Sequence, residues 1–86
     1  GASKRLVCLV MSGRGIPRQG YQVNFEGSQT GIVTSGTYSP SLKQAIALAY
    51  IEKPNSKIGT GLEVIIRNKG VACEVVKPPF YKRSNK

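Results

Sequence analysis

What most constrains this chain is its punctuation: short apolar or alternating runs are separated, at regular spacing, by segments holding glycine or proline. Leu6 to Met11 is an apolar run of the length expected for a strand buried on both faces. It ends in Ser12-Gly13-Arg14-Gly15-Ile16-Pro17-Arg18-Gln19-Gly20, a loop dense in glycine. Tyr21 to Phe25 alternates strictly and predicts a half-buried strand. Glu26-Gly27-Ser28 then predicts a turn, and Gln29 to Ser35 a second strand, so the pair reads as a hairpin. Near the end, Gly61 to Arg67 and Val71 to Val76 flank Asn68-Lys69-Gly70, a second hairpin pattern. Lys77-Pro78-Pro79 stops the last strand, because proline cannot donate to a ladder. About six short strands punctuated in this way predict a small barrel or sandwich.

One stretch reads two ways. Ser39-Pro40 followed by Ser41 to Tyr50 has proline and serine where a helix would start, and alanines that favour one. The same residues alternate small with large: Ala45/Ile46, Ala47/Leu48, Ala49/Tyr50. In a tight barrel that alternation points small side chains one way while large ones fill the interior. Glu52 to Ser56 is a polar break containing Pro54.

The 86 residues make one small domain, and 40% hydrophobic content is that of an ordinary globular chain. No apolar run approaches the roughly 20 residues of a membrane-spanning helix. The first residues have no signal-peptide pattern, and Gly1 to Ser3 read as a processing or vector remnant. Thirteen Lys and Arg against four acids give a net charge of +9, which favours an anionic partner. The charges are dispersed, with no block of like sign that would mark a nucleic-acid tail.

Catalysis finds little to work with. There is no His and no Asp, and the acids are Glu26, Glu52, Glu63 and Glu74. No nucleophile–base–acid triad can be assembled, and general acid–base work would rest on a glutamate alone. Glu26 is expected in a turn, Glu52 in a loop, and Glu63 and Glu74 on the solvent face of the last hairpin. Cys8 and Cys73 lack the spacing and the partners of a zinc site, and both read as core thiols that bridge only if their strands are neighbours. The first loop lacks the Gly-Lys-Ser/Thr ending of a phosphate-binding loop and leads into a strand. Its Arg14 and Arg18 are a better lead: guanidinium groups on a loop held by Gly and Pro suit carboxylates or phosphates, the alternative being a solvated loop. The four tyrosines and two phenylalanines read mainly as packing residues, with a base-stacking platform as the alternative.

Several blocks together resemble one family. They are Gly15 to Val23, Gly31-Ile32-Val33-Thr34-Ser35-Gly36-Thr37-Tyr38-Ser39-Pro40, Ile46 to Tyr50, and Val75-Val76-Lys77-Pro78-Pro79-Phe80-Tyr81. In order and spacing they resemble the C-terminal barrel domain of glycine cleavage T-proteins, the aminomethyltransferases of glycine catabolism. The resemblance implies an all-β fold, a small antiparallel Greek-key-type β-barrel with at most one short helical turn. It decides for a strand at Ala45 to Tyr50, after one turn of helix at Ser41 to Gln44. It implies a domain over residues 4–83, with 1–3 as remnant and 84–86 as tail. It also implies tetrahydrofolate as cofactor of the whole enzyme and no catalytic residue in this part. The barrel would close the folate cavity and dock against N-terminal catalytic domains, with the lipoylated H-protein as a further partner. By position Arg83 would meet the folate tail, with Arg14 and Arg18 behind it, and no metal is implied. The implied location is the bacterial cytoplasm or the mitochondrial matrix. Other readings are the terminal barrel of a related folate-dependent demethylase or dehydrogenase, and a free-standing basic barrel binding nucleic acid.

Overall fold

The computed structural model describes residues 3–40 and 43–77. Six strands run in chain order: β1 (Lys4–Met11), β2 (Gln22–Phe25), β3 (Ser28–Ser39), β4 (Gln44–Glu52), β5 (Gly61–Ile66) and β6 (Lys69–Val76). All neighbours are antiparallel, and the sheet closes on itself in the order β1-β4-β3-β2-β5-β6. Three successive hairpin strands, β2 to β4, with β1 lying beside β4, make the Greek key that the resemblance implied. The single helical turn among the described residues is a 3-10 turn at Lys53–Asn55, in the polar break. It was expected at Ser41 to Gln44. Gln44 instead opens β4, and Ser41 and Leu42 lie outside the described residues.

The hairpin turns follow local chemistry. Glu26 and Gly27 have φ of 50° and 87°, and Arg67 and Asn68 have 52° and 67°, the paired positive values of a two-residue turn that matches strand twist. The second turn therefore sits at Arg67-Asn68, ahead of the expected Asn68-Lys69-Gly70, and Lys69 and Gly70 belong to β6. Asn68 tolerates the left-handed conformation well, and Arg67 adopts it beside Asn68.

Closure needs bending, and β3 supplies it. Its pairing with β2 skips Thr30, and its pairing with β4 skips Thr34. Such bulges bend a strand and increase its twist. Both hydroxyls are used. Thr34 donates to the Leu48 carbonyl at 3.1 Å; Thr30 donates to the Glu52 carboxylate at 3.3 Å and accepts from the Asn55 amide at 2.9 Å. Glu52 is thus the half-buried last residue of β4, not a solvated loop residue.

Inside lie Val7, Leu9 and Met11 of β1, Val23 of β2 and Val33 of β3, with Leu62, Val64, Cys73 and Val75 from the last hairpin. From β4 come Ala45, Ala47, Ala49 and Ile51. This reverses the expectation for β4: its alanines face inward, and Ile46, Leu48 and Tyr50 face out. The physical reason is space, since Ala49 faces Val7 and Val33 across the two flanking ladders. Small residues there let these β-branched side chains meet at the axis. In β1 the expected burial on both faces extends from Val7 to Met11, with Cys8 1% exposed on the outer side and Val10 half-buried, and it fails at Leu6, which is 46% exposed.

Candidate functional site

Strands β1 and β2 lie across the closed barrel from one another, so the connection between them passes over one end, against Val71 and Ile66 first and Gly36 later. The Ser12 amide donates to the Ala72 carbonyl at 2.8 Å as the loop leaves β1. The Gly20 amide donates to the Val33 carbonyl, also at 2.8 Å, as the loop arrives beside β3. Between them Pro17 is fully buried. Its carbonyl occupies the place a side chain at position 36 would take, so an ideal Cβ on Gly36 would lie 1.9 Å from that oxygen. Gly36, in the Val-Thr-Ser-Gly-Thr block, therefore lets the loop plug the barrel end.

Beside this plug is a cleft of about 630 Å³, with Met11 and Ala45 of the core among its lining residues. Arg14, Tyr38, Lys43 and Gln44 also line it, and no acidic residue does. Lys43 is held at φ 56°, in the left-handed region, immediately before β4. Gln44 is fixed by its amide, which donates to the Met11 carbonyl at 3.2 Å. Tyr38 lies half-exposed beyond the plug. Two cations, a phenol and an amide around an apolar floor suit an anionic group attached to a flat or apolar body.

Of the arginines expected to bind an anion, Arg14 lines this cleft. Arg18 does not: it is exposed farther along the loop, where its carbonyl accepts from the Tyr21 amide at 3.1 Å. Arg83 lies outside the described residues. Sequence reasoning missed Lys43, Tyr38 and Gln44, because the mouth is assembled from three separate segments. The signal available was Ser39-Pro40, which marks a turn whose flanks must approach the first loop.

At the other end of the barrel a second cleft, of about 410 Å³, is lined by Arg5, Lys53, Ser56, Lys57 and Ile58, again without an acid. Cations thus line a cleft at each end of the barrel, Arg14 and Lys43 at one and Arg5, Lys53 and Lys57 at the other.

The groups that could do chemistry are placed away from both clefts or are masked by burial. Cys8 and Cys73 are buried free thiols. Their strands are neighbours, but Cys8 pairs with Val76 and Cys73 with Met11. Cys73 and Met11 point into the barrel, and alternation turns Cys8 to the outer side, so no bridge forms. Burial pushes the Cys8 thiol up to about 11. Burial pushes Cys73 up to about 12, with the Glu63 carboxylate adding to the rise and a backbone hydrogen bond at Leu62 opposing it. Neither thiol is a nucleophile near neutrality. Glu63 and Glu74 are exposed on the outer face of the last hairpin, as expected, and Glu26 is exposed in its turn. Among the described residues no group of three or more His, Cys, Asp or Glu could hold a metal ion. No helix among them is long and apolar enough to cross a membrane.

Against known families, the model described as "Glycine cleavage T-protein C-terminal barrel domain" matches residues 4–82. The chain belongs to that family. An aminomethyltransferase of Picosynechococcus sp. is 51% identical over 86 residues, all of this chain and 24% of the relative. One from Bacillus licheniformis is 49% identical over 83 residues, 96% of this chain and 23% of the relative. Among solved structures, the glycine cleavage system aminomethyltransferase T from Bartonella henselae superposes with a TM-score of 0.82 at 30% identity. That match covers 91% of this chain and 22% of the other. This T-protein barrel domain therefore spans about a quarter of the length of the curated relatives it matches.

Proposed function

We propose that this chain is the C-terminal domain of a tetrahydrofolate-dependent aminomethyltransferase of the glycine cleavage system. In this reading it closes the folate cavity and docks on the catalytic domains without doing chemistry itself. The observation that carries it is the family match over residues 4–82, together with aminomethyltransferase relatives near half identity across the whole chain. Composition supports the non-catalytic part, since His and Asp are absent and both thiols are held protonated. The enzyme's folate chemistry is supplied by the cofactor and by residues elsewhere in the polypeptide. The residues here that fit a folate tail are Arg14 and Lys43 at the barrel mouth, whose cations suit glutamyl carboxylates. Arg83, by position, and Arg18, exposed farther along the loop, are proposed for the outer part of that tail. Net charge of +9 favours the lipoylated H-protein as the docking partner if that protein is acidic. The location would be the bacterial cytoplasm or the mitochondrial matrix.

The test is kinetic and uses the full-length aminomethyltransferase. Arg14→Ala is expected to raise KM for polyglutamylated tetrahydrofolate about tenfold while kcat holds, the effect of losing one charge-assisted contact. An unchanged KM would remove Arg14 from the folate tail. The 86-residue chain alone is expected to release no ammonia from an aminomethylated lipoyl carrier, and measurable turnover would overturn its non-catalytic role.

A further inference from the structure

The outer face of β1, β4 and β3 is built the wrong way round for a wall that meets water. Strand β4 turns its small residues inward and carries Ile46, Leu48 and Tyr50 on the outer side, where Ile46 is covered, Leu48 is half-buried and Tyr50 is exposed. The register aligns the larger side chains into rows. Leu6 of β1 is directly opposite Tyr50, and Tyr50 is directly opposite Ile32 of β3. These three are 46%, 49% and 43% exposed, so an uncharged row crosses three adjacent strands. The next row, Cys8 beside Leu48, is already covered, with Cys8 1% exposed and Leu48 half-buried, so the open surface is the Leu6–Tyr50–Ile32 row. Leu48 also borders a cleft of about 260 Å³ along the β3–β4 seam, whose other walls include Ile46 and Gly36. Aliphatic and aromatic residues in register on an outer face mark a surface to be covered.

The row is not part of the barrel's core, where Val7, Val33, Ala49 and Ile51 pack on the inner side of the same strands. Its lack of charge suits neither an acidic partner nor a phosphate. The relatives supply the occupant: they extend over about four times the length of this chain, so most of their polypeptide lies elsewhere. We infer that the Leu6–Tyr50–Ile32 face is the surface on which the remainder of the same aminomethyltransferase polypeptide packs. This leaves the Arg14–Lys43 mouth and the Arg5–Lys53–Lys57 end free of that contact. The inference rests on the function proposed above and adds the face used.

Hydroxyl-radical footprinting of wild-type protein tests it without relying on any variant to fold. The full-length enzyme and the 86-residue chain are oxidised under the same conditions, with Ile58 as reference because it is 66% exposed and lines the cleft at the Arg5–Lys53–Lys57 end, not the row. Tyr50, Leu6 and Ile32 are expected to be oxidised at least tenfold more slowly in the full-length enzyme, with Ile58 little changed. Equal oxidation of the row in the two forms would overturn the inference. Protection of the row in the 86-residue chain that grows with its concentration would also overturn it, assigning the face to a second copy. The same full-length sample is assayed for ammonia release with tetrahydrofolate. An inactive sample counts against the proposed function, whereas an active one with an unprotected row counts against the docking face alone.

Discussion

Cys8 and Cys73 show how one residue's placement decides its chemistry. Neighbouring strands carry them, yet they stand on opposite sides of the barrel wall, and burial holds each as a neutral thiol. Their folded pKa values, about 11 and about 12, lie above the ordinary 9.0. The folded state therefore favours the protonated form. The stability this contributes is complete below about pH 9 and is lost as pH rises toward 11 and 12. Denaturant midpoints measured from pH 8 to 11 are expected to fall, and to fall less steeply in a Cys8→Ala/Cys73→Ala variant. At pH 8 both thiols should react with an aromatic disulfide reagent at least about a hundredfold more slowly than in the unfolded chain, because exposure requires opening of the barrel. Labelling as fast as in denaturant would show that the wall between β1 and β6 is open.

Strand β4 carries the clearest lesson at the scale of elements. Alternation from Ala45 to Tyr50 reveals two faces, but both are apolar, so period alone does not say which one meets the core. The answer lies in its neighbours, since Val7 and Val33 leave room only for alanine between them. The Glu26-Gly27 turn was legible because glycine carries its conformation. The Arg67-Asn68 turn was displaced because Gly70 attracted the reading, although asparagine could take the left-handed place. The candidate site was legible only in Arg14. Tyr38 and Lys43 join it through the crossing of the β1–β2 loop over the barrel end, which no local pattern encodes. The inward placement of β4's alanines is itself testable. Ala47→Leu is expected to destabilise the chain by about 1–3 kcal/mol through overpacking, whereas Leu48→Ala on the outer side should cost less than about 1 kcal/mol. Urea unfolding of the two variants checks this, and the reverse order would put the large residues inside.

For the molecule as a whole, closure depends on β1. Three pairs, β2 with β3, β3 with β4, and β5 with β6, are hairpins local in the chain, and the long-range β2–β5 pairing joins the two hairpin groups. Strand β1 instead bridges β4 and β6, partners far along the sequence, so its docking requires the two hairpin groups to have come together. Long-range pairing of this kind costs loop entropy before any contact offsets it, and folding on the order of milliseconds to seconds follows. Late docking of β1 also fixes where a β1 mutation acts. Leu9 is fully buried at the barrel axis, and Leu9→Ala is expected to cost about 2–5 kcal/mol. If β1 joins after the rate-limiting step, nearly all of that loss should appear as faster unfolding, with the refolding limb of the chevron unmoved. Stopped-flow kinetics on wild type and Leu9→Ala decide the point. A refolding rate that drops in proportion to the lost stability would place β1 in the nucleus and make closure, rather than the hairpins, the event that starts the fold.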